Sequence, residues 1–223
     1  MADVLVVAEA AEGKLKKTTH SAVTFARQAA AALGGTYSIL VIGSGVDAAA
    51  AEAATLGAAK VLVAQDGSLG VYLAERYAPV VAEVAKARGI AVVVGAASGY
   101  GKDLLPRVAA RLEAGYASDI TGLVTEGSAL KYRRPMFAGN AFGICSVTSP
   151  IQVVSVRQSA FAAADASGAQ SPVEQVAVAR PGAAAERVEF VSFDQVKSTR
   201  PELTEAKAVV SGGRALKEKF NQV

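Results

Sequence analysis

Three glycine-rich segments hold residue types and spacings that could bind a phosphate. Gly43-Ser44-Gly45-Val46-Asp47-Ala48 fits the pattern G-x-G-x-x-A. Its glycines would let backbone amides approach a pyrophosphate at a helix N-terminus, and Asp66, at the end of the next strand, could take a ribose hydroxyl. On that reading the chain is an NAD-linked oxidoreductase, or a nucleotide-fold binding module, using Gly43, Gly45 and Asp66. Against it, the segment lies in the second βα unit and short GSG turns also serve steric needs. Gly95 to Asp103 resembles a P-loop only superficially: five residues separate Gly95 from Gly101-Lys102, one too many, and Asp103 replaces the hydroxyl residue that would bind magnesium. A strand-to-helix turn with Asp103 in the first helical turn suits it better. Ser211-Gly212-Gly213-Arg214 lies between a strand-like run, Ala208-Val209-Val210, and a helix-compatible pattern from Leu216 to Phe220. There Arg214 could give a pyrophosphate a bidentate hydrogen bond beside the open backbone of Gly212 and Gly213.

Acid–base and nucleophilic constellations are thin. His20 is the one histidine and stands at a helix start, where a capping or surface role is expected. A Ser-Asp-His triad of the α/β-hydrolase order needs its histidine last, and Ser98 lies outside any G-x-S-x-G. Lys131-Tyr132-Arg133-Arg134 is a short basic cluster; strand alternation turns half of it to solvent, where it could meet a partner protein or a phosphate.

The elements that must position these residues alternate. Strand Val4 to Ala8, helix Thr19 to Leu33, strand Tyr37 to Ile42, helix Asp47 to Leu56, strand Lys60 to Ala64, helix Leu69 to Arg88, strand Ile90 to Val94 and helix Lys102 to Glu113 follow one another. Glycines at 34–35, 57, 89 and 115 mark the joins. The strands are apolar throughout, as strands buried on both faces are, so the fold class is α/β, a doubly wound, mostly parallel sheet. After Gly115 come strand-like runs without helices, Ser118 to Thr125, Ala129 to Arg134, Met136 to Val147 and Ile151 to Val156, which predict an antiparallel hairpin region. Ser159 to Ala185 reads as a loop, and Arg187 to Phe193 as a final strand. The domains are 1–193, a linker over 194–205, and 206–223 as the truncated start of a second nucleotide-binding domain. One strand, one loop and one helical turn cannot bury their own apolar faces, so the chain either stops inside that domain or is completed by a partner.

Composition narrows the function classes. The chain has 223 residues, 52% of them hydrophobic, and its net charge of +3 is spread without a block of like charges, which speaks against nucleic acid. A lone Cys145 excludes an intrachain disulfide, no histidine or cysteine cluster offers a metal site, and no leader or long apolar run precedes the first strand. A cytoplasmic protein without direct membrane insertion is expected.

Four ordered segments together resemble one family. Gly101-Lys102-Asp103-Leu104-Leu105-Pro106-Arg107 followed by Ser118-Asp119-Ile120, then Arg134-Pro135-Met136-Phe137-Ala138-Gly139-Asn140-Ala141, then Val154-Ser155-Val156-Arg157, and last Val209-Val210-Ser211-Gly212-Gly213-Arg214, are similar to the alpha subunit of electron transfer flavoproteins. The resemblance implies an electron-transfer subunit and not a substrate-converting enzyme. It implies a heterodimer with a beta subunit that carries AMP, accepting electrons from flavin dehydrogenases such as acyl-CoA dehydrogenases in fatty acid β-oxidation and passing them to a quinone reductase. It further implies FAD held chiefly by the alpha C-terminal domain, with Arg214 near its pyrophosphate and Gly212 and Gly213 beside it. Most of that FAD domain lies beyond Val223, so the 223-residue chain is expected to retain no FAD and to be the scaffold and docking part. A mitochondrial matrix location would follow only if a transit peptide had been removed. Met136, Phe137, Phe142 and Ile144 are then expected to pack against the beta subunit, because apolar area left in water costs about 25 cal/mol per Å².

Overall fold

The structure, a computed structural model, describes residues 2–11, 13–127, 129–178, 187–192, 194, 203, 206 and 208–216. The chain divides into two units, Met1–Phe190 and Val191–Val223.

The first unit is built from β1 (Asp3–Val7), a short hairpin of β2 (Ala10–Ala11) and β3 (Lys14–Leu15), α1 (Lys17–Leu33), β4 (Tyr37–Gly43), α2 (Asp47–Ala54), β5 (Lys60–Gln65), α3 (Ala74–Ala87), β6 (Ile90–Ala96) and α4 (Gly99–Leu112). Then come β7 (Gly115–Ile120), β8 (Gly122–Glu126), β9 (Ala129–Met136), β10 (Ala141–Ser146), β11 (Gln152–Val156) and β12 (Val173–Gln175). Seven strands form one sheet in the order β12-β5-β4-β1-β6-β11-β7, and every pairing in it is parallel. Parallel strands need cover on both faces, and the sequence supplies it. Val4, Val6, Ile39, Val41 and Val94 point into the layer shared with α1 and α2, while Leu5, Val7, Leu40, Ile42 and Val93 point into the layer shared with α3 and α4. Removing one such side chain, as in Leu40→Ala, costs about 2–5 kcal/mol. Helix α1 turns Ala22, Phe25, Ala26, Ala29 and Ala30 inward at helical spacing and ends on Gly34 in the left-handed conformation, φ 63°.

Several expectations change. Of the run Ile151 to Val156, Gln152–Val156 belongs to the parallel sheet, as β11 between β6 and β7, because Val153, Val154 and Val156 are fully buried and need cover on both faces. Only β8, β9 and β10 form the antiparallel sheet. The helix expected from Leu69 begins at Ala74, since Asp66 caps a 3-10 turn over Gly67–Leu69. Helix α4 ends on Glu113 in the left-handed conformation, φ 51°, and Gly115 instead opens β7. The strand expected over Arg187 to Phe193 is not formed by residues 187–192, whose Val188 and Phe190 stay exposed; Phe193 lies outside the described residues. The sheet edge beside β5 is taken by β12, within the stretch expected to be loop.

Edge strand β12 is clipped by Glu174. Its carboxylate pairs with the Arg88 guanidinium and with Lys60 Nζ at 3.1 Å, and these cations hold it below the ordinary carboxyl value of 4.5. A depressed carboxyl stabilises the fold above its unfolded value, and that contribution is lost as pH falls through the lowered folded value. Acidification below pH 4.5 is therefore expected to release β12 first. Hydrogen exchange checks this: protection of the Val61 and Val176 amides, bonded to the Pro172 and Val63 carbonyls at 2.9 Å, should fall before that of β1.

Candidate functional site

In a doubly wound sheet, ligands lie outside the carboxyl ends of the strands where the strand order reverses. Here that point falls between β1 and β6. Glu9 follows β1 and Ser98 follows β6, and the two meet: Ser98 Oγ donates to Glu9 Oε2 at 2.7 Å and Thr18 Oγ1 donates to the same oxygen at 3.2 Å. Lys16 Nζ lies 3.7 Å from Glu9 Oε1, and the Glu9 side chain is 13% exposed. The Thr19 hydroxyl accepts the Glu9 N–H at 2.8 Å and donates to the Glu9 carbonyl at 3.0 Å, which fixes the loop. A carboxylate of the chain itself thus takes the hydroxyl and ammonium donors that a ligand phosphate would use there. Glu9→Ala leaves the Ser98 and Thr18 hydroxyls without their acceptor and is expected to lower stability by about 1–3 kcal/mol. A urea midpoint shift at unchanged slope measures it, with Glu9→Gln losing less because it keeps an oxygen acceptor.

The glycine segments serve this packing. A Cβ on Gly101 would stand 1.8 Å from the Ala96 carbonyl oxygen, so glycine lets α4 close directly on the end of β6. Ser98 Oγ holds the Gly101 N–H at 3.1 Å. Because α4 starts at Gly99, Asp103 falls in its second turn and not its first; there it pairs with Arg107 at 3.3 Å and accepts the Tyr72 hydroxyl at 2.9 Å. At the end of β4, a Cβ on Gly43 would meet Val46 Cγ1 at 2.6 Å, so the side chain just before α2 fills the space in front of it. The Val46 N–H already donates to Gln65 Oε1 at 3.2 Å, and Asp66 Oδ1 accepts the Ser68 N–H at 2.8 Å. Gly43, Gly45 and Asp66 lie beside β4 and β5, away from the reversal between β1 and β6.

His20 tethers rather than caps. It stands inside α1, with Nδ1 2.9 Å from the Ala164 carbonyl oxygen and Nε2 3.6 Å from Glu52 Oε1, joining the helix to the segment after β11. Tyr72, Tyr77 and Tyr100 stack with ring centroids 4.7–6.2 Å apart. Burial pushes the Tyr77 phenol up to about 12 and raises Tyr72 and Tyr100 as well, so all three stay protonated at neutral pH, Tyr72 donating to Asp103 and Tyr77 to the Leu69 carbonyl. Among the described residues no group of histidine, cysteine or carboxylate side chains is placed to hold a metal ion, and no helix is long and apolar enough to cross a membrane.

The basic cluster on β9 alternates. Tyr132 is fully buried, tilted against Phe25 at 6.3 Å, while Lys131 pairs with Glu126 at 2.7 Å and Arg133 stacks on the Phe142 ring at 3.9 Å. Arg134 turns inward, where Nη2 donates to Ser118 Oγ at 2.7 Å and the buried Nε meets no acceptor. Beside it Arg157 grips Asp119 with two hydrogen bonds, 3.1 and 2.5 Å, and that carboxylate raises the Arg157 guanidinium further. Asp119 is left-handed, φ 52°, and its N–H is held by Ser155 Oγ at 2.8 Å; the fully buried Ser155 also accepts the Tyr116 hydroxyl at 2.8 Å. Ser118, Asp119, Arg134, Pro135 and Arg157, with Ala138 and Gly139 of the turn after β9, line an open cavity of about 290 Å³. No spacing in the sequence joins Asp119 to Arg157, because their meeting depends on β11 entering the sheet beside β7.

The β9–β10 turn projects apolar groups. Met136 and Phe142 are exposed, Phe137 is 78% exposed at the tip, and Ile144 on edge strand β10 is 59% exposed. Phe142 pairs across the strands with Pro135 and Ile144 with Arg133, so these four share the outward face.

In the second unit, Ala208, Val209 and Val210 form no strand. Val210 is 80% exposed, for want of a neighbouring strand among the described residues of this unit. Gly212, Gly213 and Arg214 are exposed, a Cβ on Gly213 would meet nothing within 4 Å, and a single 3-10 turn follows, closed by the Leu216 N–H on the Gly213 carbonyl at 3.0 Å. The helix expected from Leu216 continues into 217–220, outside the described residues.

Comparison with known proteins gives this geometry a context. The family model described as the electron transfer flavoprotein domain matches residues 4–181. A Pseudomonas aeruginosa protein named electron transfer flavoprotein subunit alpha is 38% identical over 219 residues, covering 98% of this chain and 67% of its own length. A Bradyrhizobium diazoefficiens protein of the same name is 41% identical over 219 residues, covering 97% of this chain and 65% of its own. A Caenorhabditis elegans protein named probable electron transfer flavoprotein subunit alpha, mitochondrial, is 38% identical over 218 residues, covering 97% and 63%. The chain thus spans about two thirds of the length of the curated relatives it matches.

Proposed function

Because the chain belongs to the electron transfer flavoprotein family, we propose that it is the scaffold and docking part of an electron-carrier alpha subunit, working in a heterodimer with a beta subunit. The observation that supports this most is the contrast between its two surfaces. The strand-reversal point, where a nucleotide-binding sheet would be open, is filled by Glu9. The outward face of β9–β10 instead presents Phe137, Phe142 and Ile144 to solvent. An apolar face of that kind on a folded unit is a place for another chain. The beta subunit is its partner on this reading, with AMP bound in beta. Electrons arrive from flavin dehydrogenases and leave to a quinone reductase. The role is electron carriage and not conversion of a substrate.

FAD, when bound to the full-length heterodimer, supplies the reversible electron uptake. The described residues suit one part of it: Arg214 is an exposed guanidinium beside the open backbone of Gly212 and Gly213, a place for a pyrophosphate oxygen pair. One charged contact is too little to retain a flavin dinucleotide, so the 223-residue chain is expected to hold none. The NAD-linked reading is not favoured, since Val46 and Gln65 occupy the space and the amide it needs.

Sedimentation of the 223-residue chain with its beta subunit tests the reading. A one-to-one complex supports it, and two separately sedimenting species would refute it. A flavin absorbance spectrum of the full-length heterodimer tests the cofactor.

A further inference from the structure

We propose that the cavity between Arg134 and Arg157 is the polar anchor of the docking face and receives one Asp or Glu carboxylate from the partner chain. This deepens the docking role argued above and rests on it. The charge balance of the cavity points to a single negative group: Arg157 is matched by Asp119, while Arg134 has only the neutral Ser118 hydroxyl and no ion pair among the described residues. Its Nε–H is buried without an acceptor, so the guanidinium is under-satisfied inside the protein, and the part of Arg134 that lines the cavity is where a counter-charge can be added. A carboxylate accepts from a guanidinium edge through two parallel hydrogen bonds, which no neutral side chain matches.

The backbone around the cavity supports the same assignment. Of the four non-glycine residues held at positive φ among the described residues, Asp119 and Ala138 line the cavity and Phe137 adjoins it, and such strain collects where a ligand or partner is gripped. The volume of about 290 Å³ admits one acidic side chain with its backbone. Position selects a protein as the source of the carboxylate: Pro135 and Ala138 bound the cavity on the same turn that exposes Phe137, so a chain covering that tip passes over the opening.

The test replaces Arg134 by methionine, Arg134→Met, and measures affinity for the beta subunit together with thermal unfolding of the 223-residue chain alone. The expected result is affinity about ten- to a hundredfold weaker, with a shallower dependence on salt and a melting temperature no lower than that of the parent, because the unmet Nε–H is removed together with the single neutral contact to Ser118. A lower melting temperature with a loss of affinity that merely tracks it would overturn the proposal in favour of a structural arginine. Phe137→Ala separates this proposal from the reading beneath it. If Phe137→Ala weakens association and Arg134→Met does not, the docking face stands and the carboxylate anchor is wrong. If the parent chain does not bind the beta subunit at all, both fall. Inorganic phosphate provides the last arm: stabilisation of the parent chain but not of Arg134→Met, with association indifferent to the substitution, would assign the cavity to a free oxyanion and overturn the proposal.

Discussion

Ile144→Glu is expected to weaken association with the beta subunit by more than a hundredfold while leaving the first unit folded. Ile144 stands on the outer face of an edge strand and is 59% exposed, so in the isolated chain a glutamate meets water and the exposed Arg133 across the strands, neither of which disturbs the fold. In the heterodimer the same carboxylate would enter an apolar contact. Losing one buried isoleucine forfeits about 1.5–3 kcal/mol, and taking the new carboxylate out of water, with Arg133 opposite as its one cation, adds a desolvation penalty of similar size. Together these exceed about 3 kcal/mol, a factor above a hundred in the dissociation constant. Isothermal titration of the variant against the beta subunit, with circular dichroism as the control for folding, checks it. Undiminished affinity would place the partner on another face.

Arg214→Ala in the full-length heterodimer is expected to raise the FAD dissociation constant about ten- to a hundredfold, since a hydrogen bond to a charged group contributes about 1.5–3 kcal/mol. Arg214 belongs to the second unit, so melting of the first unit should not change. Fluorescence titration of the apo-heterodimer with FAD measures the effect. Equal affinities in parent and variant would remove Arg214 from the pyrophosphate contact.

Much of the fold could be read in the sequence, because a parallel sheet covered on both faces leaves continuous apolar runs such as Val4 to Val7 and Leu40 to Ile42, and glycines such as Gly34 mark where helices end. What was hidden depends on long-range pairing. Gln152 to Val156 has the same apolar character as β6 but follows three antiparallel strands, and nothing local says that it returns to the parallel sheet. Val173 to Gln175 is too short and too polar to announce an edge strand, which Glu174 holds through Lys60 and Arg88, both far away in sequence. The nucleotide fingerprint at Gly43 was a fair match in composition, yet its meaning lay in Val46 and Gln65, whose positions only the folded chain reveals. Glu9 carried no motif at all. Its role at the strand reversal follows from Ser98, 89 residues away.

The strand order also sets a sequence of events for folding. Residues through α4 can assemble β5, β4, β1 and β6 with their four helices as soon as they are made, since each of these strands has a neighbour already present. Strand β7 has none. It is separated from β6 by β11, and β11 arrives only after the whole β8–β10 excursion, so β7 cannot join the sheet when it is synthesised. Closing that loop is the step with the greatest sequence separation on this side of the sheet, and such steps are slow. Until β11 inserts, the apolar edge of β6 stays open to any other strand, which makes the half-folded chain, and not the native one, the species most prone to self-association.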